Sequence, residues 1–241
     1  MNREPGMNNL PIYNLDKTMH PLAGTVVCKD NFFNNPGKIL ALSKKQKYEK
    51  TERFPGKRTN NLLESFDPET KEFAVFFAKK IAREVFPGIA QFVIHISFHI
   101  NELYSDDEAN CGWIHNDDVT LAGLVYLNPL ETNFGSGTSI FLKKGAKDFP
   151  IPDFQSRKEF NTTSEVTAEY KQDLKNNHSH FEETIRIGNV YNRLIAYDSN
   201  LWHRPNTFKL AVDEPRTTLL FFIDQYEFNR PDIDNFSKWI D

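Results

Sequence analysis

His115 and Asp117 stand two residues apart, and His203 follows much later inside Trp202-His203-Arg204-Pro205. In an extended segment alternate side chains point to the same side, so His115 and Asp117 can offer an imidazole and a carboxylate to one metal ion. A second imidazole from His203, on another strand, completes a facial set of three donors and leaves three coordination positions open. That donor set is the one expected of non-haem Fe(II) centres, whose open positions admit a co-substrate and dioxygen. Taken alone the pair is a weak signal. With 7 histidines and 33 acids in the chain, a surface His near an Asp is the ordinary reading of such a match.

Its company changes the weighing. Arg216 opens the apolar run Arg216-Thr217-Thr218-Leu219-Leu220-Phe221-Phe222-Ile223, and Arg216 and Thr218 share one face of that strand. A guanidinium takes a carboxylate in a bidentate pair, and a neighbouring hydroxyl adds a further hydrogen bond. A dicarboxylic 2-oxo acid needs such an anchor at its far end while its 2-oxo and adjoining carboxylate groups chelate the metal. The competing reading places Arg216 at a strand edge, reaching solvent or a protein carboxylate. Burying it in an apolar strand without an anionic partner would be costly, which favours the anchor.

The elements that must position these residues are legible in part. Residues 92–101 alternate Phe92, Ile94, Ile96, Phe98 and Ile100 with Val93, His95, Ser97, His99 and Asn101, a strand with one apolar and one largely polar face. Further strands are expected at 121–127, 138–142, 184–187, 193–197 and 217–223. Short strands separated by turn residues indicate an antiparallel sandwich or jelly roll. Ahead of them Asn34-Asn35-Pro36 starts a helix bearing Ile39, Leu40 and Leu42. Asp67-Pro68-Glu69 starts a second, with Phe73, Phe76, Phe77, Ile81 and Val85 on one face and Pro87-Gly88 at its end. Residues 143–183 read as a long polar insertion between strands, of the kind that serves as a lid or mobile loop.

A chain of 241 residues can bury one sizeable core. A single domain is expected, with helical support over 26–90, a jelly-roll core over 91–225 and a tail from 226 to 241. The 21 Phe residues supply packing volume, and no run approaches the length a membrane helix needs. The N-terminal residues lack a signal-peptide pattern. Cys28 and Cys111, the 2 cysteines, are far apart, so a reducing cytoplasm is the expected compartment. A net charge of −4 argues against a dedicated nucleic-acid binder.

The sequence resembles the prolyl-4-hydroxylase-like branch of the 2-oxoglutarate/Fe(II) dioxygenases. The resemblance runs in order through Val26 to Pro36, residues 92–101, Trp113-Ile114-His115-Asn116-Asp117, Leu124-Val125-Tyr126-Leu127-Asn128, Gly135-Ser136-Gly137-Thr138-Ser139-Ile140, residues 193–205 and residues 216–223. Phe54-Pro55-Gly56-Lys57-Arg58 is also similar to a stretch in small uncharacterised or phage-associated members. The resemblance implies a mostly β fold with flanking α, a double-stranded β-helix (jelly roll, cupin-like) with the N-terminal helices packed on one sheet. It also implies Fe(II) on His115, Asp117 and His203, and 2-oxoglutarate and O2 as co-substrates. A small-molecule or peptide substrate would be hydroxylated as 2-oxoglutarate gives succinate and CO2. Asp117 disfavours the halogenating variant, which has a small residue there. The prolyl hydroxylases anchor 2-oxoglutarate with Lys where this chain has Arg216, which weakens proline as the substrate.

Other residues have two readings each. Tyr126 and Tyr104 are candidates to hydrogen-bond 2-oxoglutarate, Tyr126 the better for its place on a core strand. His95 and His99 could line the site but are expected to be ordinary hydrogen-bonded histidines. His178 and His180 form an H-x-H pair expected on an exposed loop. Trp113 and Trp202 flank ligands and exclude water. Arg58, in a Pro-Gly turn, either meets an anionic substrate or serves the surface. The rival to an oxygenase is a metal-binding barrel used for sensing or interaction, which has no need of a dicarboxylate anchor; a nucleic-acid demethylase is a lesser option.

Overall fold

Two antiparallel sheets carry the molecule, described by a computed structural model over residues 22–131, 133–145 and 154–228. The larger is built from β1 (Val26–Lys29), β2 (Glu49–Thr51), β3 (Phe54–Arg58), β4 (Ile89–Asn101), β5 (Leu121–Tyr126), β8 (Leu194–Asp198) and β10 (Arg216–Phe228). The smaller contains β6 (Thr138–Lys143), β7 (Phe181–Ile187) and β9 (Trp202–Pro205). Their orders are β1-β8-β5-β10-β4-β3-β2 and β7-β6-β9, so neighbours in space are mostly distant in sequence. β10 lies in the middle, bonded to β4 on one side and β5 on the other.

Alternation along these strands divides the interior into two layers. Ile96, Phe98, Val125, Leu194, Leu219 and Phe221 point to one side and form the main core. Against it pack α1 (Pro36–Lys44) and α2 (Pro68–Glu84), through Ile39, Leu42, Ala74, Phe77 and Ile81. Phe77 is fully buried and meets Phe221 edge-on, with ring centroids 5.8 Å apart. Truncating such a residue to Ala costs about 3–5 kcal/mol. Alternate residues, among them Leu124, Tyr126, Ile195, Tyr197 and Leu220, point the other way and meet Ile140 and Ile187 of the smaller sheet.

The helix starts follow the expected chemistry. Asn35 and Asp67 accept hydrogen bonds from Lys38 and Thr70 backbone N–H groups, each with proline in the first turn. The apolar face of α2 differs from expectation: Phe76 is 49% exposed. The buried stripe runs through Thr70, Ala74, Phe77, Ala78 and Ile81, and Phe76 falls off it at 3.6 residues per turn.

Three other expectations are corrected. Residues 54–58 are strand β3 and not a turn, paired to β4 with Arg58 opposite His99. Gly56 makes this possible at φ +82°, where an added Cβ would lie 2.2 Å from Ile100 O. Within 143–183 the chain forms α3 (Gln155–Thr163), α4 (Ala168–Ser179) and the first residues of β7, in place of an irregular loop. Only Tyr170, Leu174 and Asn177 of α4 are buried, so its polar composition concealed it; residues 146–153 of that stretch lie outside the described residues. Finally, β10 runs on to Phe228, past the expected start of the tail at 226; residues 1–21 and 229–241 lie outside the described residues. Among the described residues no helix is long and apolar enough to cross a membrane.

Candidate metal and co-substrate site

β9 pairs with β6 with His203 opposite Ile140, and His203 also forms an isolated bridge to His115. The two residues exchange backbone hydrogen bonds, His115 N to His203 O at 3.0 Å and His203 N to His115 O at 2.8 Å. This clamp brings together side chains far apart in sequence, with ring centroids 4.5 Å apart. Asp117 N donates to Ser199 O at 3.1 Å. Its carboxylate lies 3.7 Å from His115 Nε2 and 3.3 Å from His203 Nε2. All three donor atoms fall within 4.8 Å of one another, a grouping that could hold a metal ion.

The imidazoles are oriented for that use. His115 Nδ1 donates to Trp113 O and His203 Nδ1 to Leu201 O, both at 2.8 Å. Occupying Nδ1–H with a carbonyl fixes the tautomer and leaves the Nε2 lone pair facing Asp117. Burial, reinforced by the charge of His203, pushes His115 down to about 3, so it is neutral at ordinary pH. Burial alone would raise Asp117. The hydrogen bond with His203 and the electrostatic pull of the neighbouring His115, His203 and Arg58 side chains together outweigh it and hold the carboxyl below its usual range.

The insertion supports this loop. From α4, Asn177 Oδ1 accepts from Ile114 N at 2.9 Å and its Nδ2 donates to Ile114 O at 3.1 Å. Trp113 Nε1 donates to Tyr170 OH at 3.2 Å. Gly112 sits so close to β9 that an added Cβ would meet Pro205 Cδ at 2.5 Å. His178, expected to be exposed, is half-buried on α4, where its Nε2 donates to Gly112 O at 3.0 Å. Burial and the nearby Arg204 push it down to about 4. His180 is the C-cap of α4, its N–H bonded back to Asn177 and His178 carbonyls, rather than a free loop residue.

Between the sheets lies an open cavity of about 1380 Å³ whose lining includes His99, Asn101, His115, Asp117, Tyr197, His203 and Arg216. Arg216 is 2% exposed. Its Nε donates to Ser136 O at 3.1 Å, whereas Nη2 has no partner among the described residues. Thr218, fully buried two residues along the same face, has an Oγ1 with no partner either. Ser97 Oγ and Asn101 Oδ1, opposite Leu220 and Arg216 on β4, are likewise unpartnered. Burying a donor or acceptor unpaired costs about 1–3 kcal/mol, so this concentration on one face of adjacent strands is a place where water or a ligand completes the bonding.

The remaining candidates divide. Tyr126 is fully buried opposite Thr218, but its hydroxyl donates to Thr138 Oγ1 at 2.9 Å. Tyr104 is not brought to the cavity: its ring packs on Phe160, centroids 4.7 Å apart. Trp113 lines the cavity, whereas Trp202 packs on Phe181 at 4.8 Å. His99 is buried and hydrogen-bonded to Pro55 O at 2.8 Å, as expected, yet it also lines the cavity. The sequence reading missed Tyr197, whose ring lies 4.6 Å from that of His203. It missed Asn101, Thr138 and Asn177 as well. The polar face of residues 92–101 was the available signal for Asn101; nothing in the polar α4 segment singled out Asn177.

Comparison with curated proteins gives no match. Among solved structures, HygX from Streptomyces hygroscopicus with nickel, 2-oxoglutarate and hygromycin B bound aligns with a TM-score of 0.51 at 10% identity, covering 83% of this chain and 83% of that one. HygX with nickel and 2-oxoglutarate aligns at 0.50 and 11% identity, again with 83% and 83% coverage. A Pseudomonas putida prolyl-4-hydroxylase aligns at 0.47 and 11% identity, over 84% of this chain and 93% of that one. The likeness to HygX is one of fold: its antiparallel two-sheet architecture is shared. Residues 16–216, most of the chain, match the model of a family of unknown function, DUF6445, and the chain belongs to that family.

Proposed function

We propose that the protein is an Fe(II)- and 2-oxoglutarate-dependent dioxygenase that hydroxylates a small-molecule or peptide substrate. The observation that carries this reading is the buried Arg216 guanidinium, whose Nη2 has no partner among the described residues, in one cavity with the His115, Asp117 and His203 donors; the unpartnered Thr218 Oγ1 lies two residues along the same face of β10. A metal-binding module without catalysis accounts for the donors but leaves the buried guanidinium unexplained. The residues fit the cofactor: two imidazoles whose Nδ1–H groups are tied to backbone carbonyls, and a carboxylate beside their Nε2 atoms, suit Fe(II), which would be held by His115, Asp117 and His203. Bound there with O2 and 2-oxoglutarate, iron supplies the chemistry that turns R–H into R–OH while the 2-oxo acid becomes succinate and CO2.

The chain's own residues have separate tasks. Arg216 and Thr218 hold the far carboxylate of 2-oxoglutarate, with Tyr126 beside them; the Arg216 guanidinium carbon lies 5.4 Å from the Tyr126 ring centroid. Leu124, Leu220 and Tyr197 line the intervening wall and exclude water. The finer expectation of a closed double-stranded β-helix in a single domain is part of the same reading. Cys28 and Cys111 are free thiols, which supports a reducing compartment, the cytoplasm, as the site of action.

The test is anaerobic absorption spectroscopy of the protein with Fe(II) and 2-oxoglutarate. A weak visible charge-transfer band is expected, absent in His203→Ala and displaced to higher 2-oxoglutarate concentration in Arg216→Ala. Metal binding by the wild type without a band on adding 2-oxoglutarate overturns the proposal in favour of the non-catalytic module.

A further inference from the structure

A second guanidinium faces the cavity, and the co-substrate has no use for it. Arg58, on β3, lines the cavity, and its Nε is buried with no partner among the described residues. Asp117, the nearby carboxylate whose charge it feels, is set 3.7 Å from His115 Nε2 and 3.3 Å from His203 Nε2, where the dioxygenase reading gives it to the metal. What holds Arg58 in place is aromatic: its guanidinium carbon lies 3.6 Å from the ring centroid of Phe54 and 5.5 Å from that of Phe222. Rings against the plane of a guanidinium steady it and leave its edge of N–H donors free for a planar anion.

Register fixes where that edge stands. Arg58 is opposite His99, and His99 is opposite Thr218. Arg58 and Thr218 therefore share a face two strands apart, roughly 10 Å at the usual strand spacing. Arg216 and the metal donors account for both carboxylates of 2-oxoglutarate, and Arg58 stands nearer the outer edge of the sheet. Strand β3 is anchored there by His99 Nε2 and Asn101 Nδ2, which meet Pro55 O at 2.8 and 3.1 Å. A partly buried cation whose Nε has no partner favours an anion beside it, and on the proposed reading the two carboxylates of 2-oxoglutarate are already placed.

We propose that Arg58 binds a carboxylate of the molecule being oxidised, with Phe54 and Phe222 walling the slot beside it. The assignment rests on the dioxygenase reading and narrows it: the substrate is a carboxylate-bearing small molecule with a flat or apolar portion next to the acid. Arg58 and Arg216 then divide two acids between them, one of the substrate and one of the co-substrate.

Calorimetry on protein loaded with Zn(II), a redox-silent stand-in for iron, tests this with phenylacetate, phenylacetamide and phenyl phosphate as probes. In the presence of 2-oxoglutarate, the wild type is expected to bind phenylacetate at least tenfold more tightly than phenylacetamide. Arg58→Gln should remove that preference while 2-oxoglutarate affinity stays within twofold, and Arg58→Lys should retain only part of it. If Arg58→Gln fails to bind 2-oxoglutarate through misfolding, the wild-type preference and the Arg58→Lys loss decide. Equal binding of acid and amide, or no binding of either at millimolar concentration, overturns the assignment; so does a preference untouched in Arg58→Lys and Arg58→Gln. Phenyl phosphate bound tenfold more tightly than phenylacetate would overturn the carboxylate in favour of a phosphate. A wild type that binds Zn(II) but not 2-oxoglutarate would instead bring down the dioxygenase reading itself.

Discussion

Asn177 holds the peptide of Ile114 from both sides, accepting from its N–H and donating to its carbonyl. Ile114 immediately precedes His115, so a side chain from the insertion sets the path of the backbone that bears a metal donor. Asn177→Leu keeps the volume and loses both bonds. Leaving the Ile114 groups unpaired should cost about 1–3 kcal/mol in urea unfolding and weaken metal affinity about tenfold. Wild-type metal affinity in a folded Asn177→Leu protein would reduce Asn177 to a packing residue.

Arg216 should be a liability to the ligand-free protein. Arg216→Met replaces a buried, incompletely bonded charge by an apolar chain, and the variant should gain about 1 kcal/mol or more of stability without co-substrate. It should also lose the stabilisation expected of 2-oxoglutarate on the metal-loaded wild type under the proposed function, about 2.7 kcal/mol at a hundred times its Kd. Thermal unfolding of both proteins with and without 2-oxoglutarate reads the two effects at once.

His178 gives the protein an acid sensitivity with a defined sign. Its pKa is pushed down to about 4 in the folded protein by burial and Arg204, against about 6.5 in an unfolded chain. Above 6.5 neither state is protonated there. Between 6.5 and 4 only the unfolded chain takes up the proton, so stability falls as the pH is lowered through that window, by on the order of 2 kcal/mol. His178→Gln, which can still donate to Gly112 O, should show a shallower loss between pH 7 and 4.5 in denaturant titrations than the wild type does.

Gly56→Ala should break the seam between β3 and β4. The residue sits at positive φ and its new Cβ would press on Ile100 O, which together should cost about 2–3 kcal/mol. Because Pro55 O would move away from His99 and Asn101, hydrogen exchange of β4 amides near Ile100 should quicken in this variant and not in Gly24→Ala, where the added Cβ meets nothing.

Much of this site was legible because alternation and charge leave marks in a sequence. An H-x-D pair, a later His and an Arg opening an apolar strand could be assembled before any coordinates, since period two fixes which residues share a face. β3 was hidden because Pro55 and Gly56 are turn formers by local preference, and only pairing with β4 makes them a strand. Asn177 was hidden because α4 is held by three buried residues, too few for a periodic signal. Tyr104 was the weaker of the two tyrosine candidates in sequence for want of a core strand; what takes it out of the cavity is Phe160, which packs on its ring and comes from the insertion. These are tertiary facts, and local propensity carries no trace of them.

The position of β10 has one more consequence. Bonded on both edges along Thr218 to Ile223, it resists fraying there, and its amides should be among the last to exchange with solvent. Residues 111–118 are held instead by scattered bonds, from Gly112, His115 and Asp117 to residues 199–205 and from Ile114 to Asn177. On the proposed reading a dicarboxylate arriving at Arg216, two residues before that doubly bonded stretch, would meet a receptor already in place and lose little affinity to ordering it, whereas a metal would settle the more sparsely bonded residues 111–118. Loading should accordingly be ordered in its dynamics: metal quietens residues 111–118, and 2-oxoglutarate changes almost nothing in the sheet that grips it.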